Sequence, residues 1–140
     1  MKTLALLCIL FALAPLCASA QSSIYTGSLN CGATQGAEVP AGNDGITINS
    51  RNYKGTYTHQ MASAGAAFAG LQDFGRGDLT GNELVMHGGG SLNGVTLRTD
   101  LKAISTGRTY IMTATQVFSG SGFHVPVTRT CKGIARLFIP

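Results

Sequence analysis

The chain is poor in charge and has no tryptophan. Charged residues make up 11% of its 140 positions, and ten Lys or Arg against six Asp or Glu give a formal net charge of +4. Such a mild positive charge favours anionic partners only slightly and does not indicate nucleic-acid binding. The charge does not identify a partner: a protein and an anionic ligand are both candidates, and a nucleic acid is not expected.

The sequence also lacks the local motifs of common hydrolases. The stretch 87–90 (HGGG) matches the oxyanion loop of lipases and esterases, but no Gly-x-Ser-x-Gly motif accompanies it. His59, His87 and His124 are too far apart in sequence for a local metal site. We therefore expect no metal, no cofactor and no enzymatic activity. The alternative is a small secreted hydrolase, in which separate strands bring one of these histidines to a carboxylate.

One long apolar run occurs, and it lies at the N-terminus. Lys2 is followed by the apolar residues 4–16 and by the small-x-small sequence Ala18-Ser19-Ala20. This order is typical of a secretory signal peptide and predicts cleavage between Ala20 and Gln21. Residues 1–20 are then the signal peptide. Residues 21–140 form a single domain, secreted or periplasmic, without a transmembrane segment.

Few cysteines remain after that cleavage. Cys8 and Cys17 belong to the predicted signal peptide, which leaves Cys31 and Cys131 in a compartment that permits disulfides. Neither has a histidine nearby in sequence, so a structural bridge is favoured over a catalytic or metal-binding thiol.

Helix signals are scarce, whereas short alternating runs separated by Gly, Asn and Ser are frequent. The clearest run is 95–105, where Val95, Leu97, Thr99, Leu101 and Ala103 alternate with polar residues, as in an antiparallel strand with one buried face. The pattern predicts an all-β fold of about eight antiparallel strands in a meander that forms a small barrel. A two-sheet β-sandwich is the alternative. Contact surfaces are expected on the loops 32–43, 62–77 and 87–90.

The closing strand carries the one local basic cluster, which consists of Arg129, Lys132 and Arg136 beside Cys131. These side chains are candidates for binding an anion such as phosphate, a polysaccharide or an acidic protein surface. The alternative is a solvated strand whose charges deter aggregation. No aromatic residues are interleaved with them, as a nucleic-acid platform would require.

Both ends of the chain resemble a known kind of domain. Tyr25-x-Gly27-x-Leu29-x-Cys31, a glycine-punctuated meander and Arg129-x-Cys131 before a short last strand are similar to small secreted domains found mainly in proteobacteria. The function of those domains is uncharacterised. The resemblance implies export and a disulfide-closed β fold, and it provides no catalytic residues. Our leading hypothesis is an exported, non-enzymatic binding or interaction module, for example an inhibitor-like envelope or extracellular protein. A structural envelope component is a further alternative.

Overall fold

The computed structural model describes residues 21–139, in which eight β-strands follow one another in the chain. The strands are β1 (Ser23–Cys31), β2 (Gly42–Arg51), β3 (Lys54–Gln60), β4 (Gln72–Thr80), β5 (Glu83–Leu92), β6 (Val95–Ser105), β7 (Thr109–Gly120) and β8 (Val127–Ile139). The one helical element of these residues is the 3₁₀ turn Ala62–Ala64. No helix in this part of the chain is long and apolar enough to cross a membrane. The predicted signal peptide, residues 1–20, lies outside the described residues.

Every strand pairs antiparallel with its neighbours in the chain, and β1 also pairs with β8. The sheet therefore closes into a barrel with meander topology, which confirms the predicted fold class. The alternative of a two-sheet sandwich is wrong, because the pairing of β1 with β8 joins all eight strands in one continuous ladder. Closure of this kind leaves no strand with an unpaired edge.

The first and last strands meet at a seam that is also closed covalently. Cys31 of β1 lies opposite Cys131 of β8, with Cα atoms 4.0 Å apart, and the two side chains form a disulfide. Both cysteines are buried. The predicted bridge is therefore confirmed, and it lies on the inner side of the barrel wall.

Inward-facing residues form two apolar clusters at different heights along the barrel. The larger cluster, called the main core, includes Leu29, Ile48, Leu84, Met86, Leu101 and Met112. The smaller cluster, called the cap core, consists of Val39, Met61, Ala64, Phe68, Leu71, Leu97 and Phe118. The cap core lies at the end of the barrel where the longer β1–β2, β3–β4 and β7–β8 connections lie, and we call this the cap end. The opposite end has short turns and is called the turn end.

Glycine on the concave side lets neighbouring strands approach closely. Gly77 lies so near β5 that an added Cβ atom would overlap the carbonyl oxygen of Val85. At the seam, a Cβ atom on Gly27 would overlap the carbonyl oxygen of Ile134. Tightly coiled strands of a small barrel need such residues. This agrees with the interpretation of Gly27 as a bend within a strand.

Strand boundaries differ from the predictions mainly in glycine-rich and loop regions. The predicted strand 95–105 is confirmed as β6. The stretch 88–90, predicted as a flexible turn, lies inside β5 because its glycines pack against the backbones of β4 and β6. The strands predicted around 68–74 and from Phe123 begin only at Gln72 and Val127. The reason is that Phe68 and Phe123 pack in or against the cap core instead of joining the sheet.

Candidate functional site

A layer of polar side chains separates the main core from the cap core. On each strand that contributes to the layer, the polar side chain faces inward. The next inward side chain toward the cap end belongs to the cap core or packs against it. The layer, called the polar layer below, consists of His59, Asp73, Thr99, Gln116 and Arg129. These residues come from β3, β4, β6, β7 and β8, so closure of the barrel brings together positions that are far apart in sequence.

Asp73 lies at the centre of the polar layer and is fully buried. One carboxylate oxygen accepts a hydrogen bond from the Tyr57 hydroxyl at 2.8 Å. The other accepts from the Thr99 hydroxyl at 2.9 Å and from the Gln116 amide at 2.8 Å. Burial, followed by the nearby charge of Asp73, raises the pKa of Tyr57 well above its usual value. The carboxylate is therefore held by donors from three other strands.

Arg129 occupies the side of the polar layer nearest the cap. Its Nε donates to the Gln116 side-chain oxygen at 2.8 Å, and one terminal nitrogen donates to the Pro40 carbonyl at 2.9 Å. The other terminal nitrogen faces the Met61 sulfur at 3.4 Å, which is a weak acceptor. The guanidinium also lies over the Phe118 ring, 5.4 Å from its centroid. Burial lowers the pKa of the Arg129 guanidinium, and the charges of Asp44 and Asp73 oppose that effect.

His59 is the member of the polar layer whose hydrogen bonding is incomplete. Its side chain is 0% exposed, and its Nδ1 lies 3.3 Å from an oxygen of Asp73. An Nδ1–H group that donates to Asp73 leaves Nε2 of a neutral ring as an acceptor. Nε2 is buried and has no hydrogen-bond partner among the described residues. Buried polar atoms are nearly always paired, and Nε2 is an acceptor to which none of the described residues donates.

Two chain segments cover the polar layer and are together called the cap: residues 32–41 and 61–71. Their buried side chains include Val39, Ala64 and Phe68. Backbone hydrogen bonds of the second segment are local, such as Ala64 to Met61 and Phe68 to Gly65. Asp44 of β2 holds the segment through the backbone N–H of Ser63 at 2.8 Å and its hydroxyl at 2.5 Å. The second segment is thus attached to the barrel largely by side chains, whereas the first continues the ladder by one backbone hydrogen bond, from Gly32 to the Thr130 carbonyl at 3.0 Å.

The predicted contact loops are only partly loops. The loop 32–43 lies mainly in the cap, and 62–77 divides into the cap and the first part of β4. The stretch 87–90 belongs to β5, so it offers no loop surface.

The three histidines have three different environments. An isolated histidine is usually a surface or rim residue, but His59 faces the barrel interior and is buried. His87 is exposed on the outer wall and pairs with Asp100 on β6, with Nδ1 and Oδ1 2.6 Å apart. Its position on an outward face of β6 predicts a cross-strand Arg or Lys partner for Asp100, and the observed partner is a histidine instead. His124 is exposed in the β7–β8 connection.

The predicted basic cluster is divided by the barrel wall. Arg129 is 2% exposed and faces inward, whereas Lys132 and Arg136 face solvent. The grouping of all three into one cluster is therefore wrong. The sequence contained the signal for this, because an inward Cys131 requires position 129 to face inward and positions 132 and 136 to face outward. Anion binding by Lys132 and Arg136 stays a prediction.

The alternation of inward and outward side chains along a strand would also have identified other members of the polar layer. Tyr57 was expected to face inward, and His59 follows it by two positions on β3. Gln116 lies between the inward residues Ala114 and Phe118 on β7.

Among the described residues, no group of three His, Cys, Asp or Glu side chains is placed to hold a metal ion.

Comparisons with protein-family models, with curated proteins and with solved structures find no match to this chain. The assignment of a function therefore depends on the geometry of the polar layer and its cap.

Proposed function

We propose that the protein is an exported, non-enzymatic binding protein that holds one small molecule between the polar layer and the cap. The observation that carries the proposal is the buried Nε2 of His59, which lacks a partner among residues 21–139. Its neighbours in the network, Asp73, Gln116 and Arg129, all make hydrogen bonds. A network completed except at one atom is typical of a site that a ligand completes.

The chemistry of the walls indicates the class of ligand. A hydroxyl or N–H group on the ligand would donate to Nε2 of His59. An anionic or carbonyl oxygen would replace the weak sulfur contact of Arg129 with a stronger hydrogen bond. An apolar part of the ligand would contact Phe68 and Phe118 of the cap core. The interior of an eight-stranded barrel is just wide enough for its own side chains or for one small ligand, so the molecule must be small and must displace cap side chains such as Phe68.

Access to this site requires movement of the cap. The segment 61–71 is joined to the barrel by the Asp44–Ser63 contacts and by the Arg129–Met61 contact. Opening it would break these contacts and expose the cap core, while the hydrogen bonds of the eight-stranded ladder remain. Such a movement is a local opening that also has to separate the buried side chains of Met61, Phe68 and Leu71 from the barrel, and local openings of this kind commonly admit ligands.

Export is part of the proposal. The order of residues in 1–20 supports it, and so does the disulfide, since such bridges persist in oxidising compartments. The intact mass of the protein released by its natural producer tests this point. A mature chain that begins at Gln21 would support export, whereas a mass that retains residues 1–20 would contradict it.

Native mass spectrometry of the folded protein, purified from its producer without denaturation, tests the binding function. We expect a mass above that of the polypeptide and a small molecule that is released on unfolding. His59→Phe should abolish the added mass, and His87→Phe is the matched control because His87 lies on the outer wall. If the wild-type protein carries no added mass and a metabolite extract leaves its Tm unchanged, Nε2 holds an ordered water at most and the proposal is wrong.

A hydrolase is the second candidate, because His87 and Asp100 form an exposed pair. Asp100 orients the imidazole of His87, which lines an outer groove together with Arg76 and Lys54. Arg76 lies directly opposite His87 and could hold an anionic substrate. Assays with phosphodiester and carboxylic-ester substrates would test this activity. Turnover that His87→Ala abolishes and His124→Ala preserves would support it, and no turnover would exclude it for these substrates.

A further inference from the structure

The second half of the barrel has a one-sided charge distribution. All six Asp and Glu residues lie at or before position 100, whereas positions 101–140 contain five Lys or Arg and no acid. Arg129 is buried, so the exposed cations of this region are Lys102, Arg108, Lys132 and Arg136. Lys102 faces Glu83 at 3.6 Å. The outer surface of β7 and β8, called the β7–β8 face, carries the cations Lys132 and Arg136 and no carboxylate of its own. The nearest carboxylate side chains are Asp100 on β6, which pairs with His87, and Glu83 on β5, which faces Lys102.

The same face exposes large apolar side chains. Ile111 of β7 and Ile134 of β8 lie opposite each other in register and are 51% and 43% exposed. Ile104, on the adjoining strand β6, lies opposite Ile111 and is 40% exposed, so it extends this apolar row at the edge of the face. Phe138, near the end of β8, is 70% exposed. On β8, Ile134 lies between Lys132 and Arg136. All three side chains face outward, because the inward positions 133 and 135 separate them. Apolar and cationic groups thus alternate over one outer wall.

We propose that the β7–β8 face binds the surface of an anionic phospholipid membrane. The cations would contact lipid phosphates, and the isoleucines and Phe138 would enter the boundary between headgroups and acyl chains. The strength of peripheral membrane binding depends on two contributions, the apolar area that is buried and the electrostatic attraction to anionic lipids. The face supplies both, and no carboxylate on β7 or β8 would repel the lipid.

A fluid surface suits this face better than a folded partner does. The face is an outer wall of the barrel with a groove lined by the polar side chains of Thr113, Thr115 and Lys132, and its apolar side chains lie in a row outside that groove. Tight protein interfaces instead centre on well-packed pockets that exclude charge. A membrane requires no matching shape, because the lipids rearrange around protruding side chains.

Co-sedimentation with vesicles tests the proposal, and it suits a protein without tryptophan. One set of vesicles is phosphatidylcholine with about one-third phosphatidylglycerol, and the other is phosphatidylcholine alone. The protein should bind the anionic vesicles, and the binding should weaken as salt is raised. Binding equally well to both sets, or to neither, would overturn the proposal.

Variants of residues on the β7–β8 face then test whether this surface is the one that binds the vesicles. Lys132→Gln with Arg136→Gln should weaken binding about 25-fold, since each cation near an anionic surface contributes about fivefold. Ile134→Ser should also weaken it, by about fivefold. The matched control is Lys54→Gln with Arg76→Gln, which changes the net charge equally on the β3–β4 wall.

Two results would contradict the proposal at this stage. An equal loss in the control variant would mean that net charge alone drives binding. A concentration-dependent dimer that Ile134→Ser abolishes, together with vesicle binding that it leaves unchanged, would mean that a second copy of the chain covers the face. The Tm of every variant is measured, and because the replaced side chains are exposed, it should stay close to that of the wild type.

Discussion

Asp73 and Arg129, two buried charges of opposite sign, are joined through one amide group. Gln116 donates from its nitrogen to Asp73 and accepts at its oxygen from Arg129, each at 2.8 Å. The orientation of this amide is fixed by the two charges, because reversing it would place an oxygen against the carboxylate. Gln116 therefore determines whether the buried network is complete.

Replacing Gln116 with Leu should destabilise the protein by about 3 kcal/mol, because it leaves a buried carboxylate and a buried guanidinium each short of a partner. Urea denaturation measures the change. Thr115→Val is the control, since Thr115 is adjacent but faces solvent. A loss no larger than that of the control would show that the charges find other partners.

Removing the disulfide should lower stability sharply. The bridge encloses 100 residues, for which the chain-entropy model gives at most about 4–5 kcal/mol. Reduction of the wild type, and the double variant Cys31→Ala with Cys131→Ala, should both lower the Tm. If the Tm is unchanged, hydrogen bonds between β1 and β8 are sufficient to close the barrel.

Tyr57 should make the protein sensitive to alkali. Its pKa is raised in the folded state, so the native protein keeps a proton that the unfolded chain loses near pH 10. The stabilisation of the folded state that comes from this raised pKa is fully present below about pH 10, and it is lost as the pH rises above that value. Unfolding free energies measured from pH 8 upward should fall less steeply for Tyr57→Phe than for the wild type. Tyr53→Phe, in an exposed turn, should change nothing.

Gly77 should tolerate no side chain. A Cβ atom there would overlap the backbone of β5, and backbone cannot move aside as a flexible side chain can. Gly77→Ala should cost at least about 3 kcal/mol or prevent folding. Gly45→Ala is the control, because nothing lies within 4 Å of the added atom. Soluble yield and urea denaturation distinguish the two variants, and equal stabilities would contradict the close approach.

Ser63 should determine how tightly the cap is held. Ser63→Ala removes one of its two hydrogen bonds to Asp44 and should destabilise the cap by about 1 kcal/mol. Amide hydrogen exchange within residues 61–71 should accelerate, while exchange in β6 and β7 should stay as it is. Ser91→Ala is a control on an exposed position of β5. Acceleration throughout the protein would instead indicate global destabilisation.

The sequence predicted the parts of the fold that depend on local alternation. The run 95–105 alternates without interruption, and β6 has those bounds. Alternation also predicts that Tyr53 shares an inward face with Gly55 and Tyr57, but Tyr53 lies in a turn with a φ of 61° and is 78% exposed. Local pattern does not show where a strand stops pairing, so such boundaries are the weakest part of a sequence-based prediction.

The candidate site was harder to predict, because its contacts join strands that are distant in sequence. Gln116 and Asp73 are 43 positions apart, and only the order of strands around the barrel brings them together. The inward direction of His59 could have been read from its neighbours on β3. Its partners, and the unpaired Nε2, depend on the register of pairing between strands, which alternation alone does not specify.

The position of the two cysteines has a consequence for oxidative folding. Cys31 precedes Cys131 by 100 residues, and their strands pair only when β8, the last strand, closes the sheet. Residues 21–139 contain these two cysteines alone, so a chain that begins at Gln21 has one intramolecular pairing. Closing the bridge in such a chain would need a thiol oxidant and no disulfide isomerase, and loss of free thiols would report that the final strand is in place.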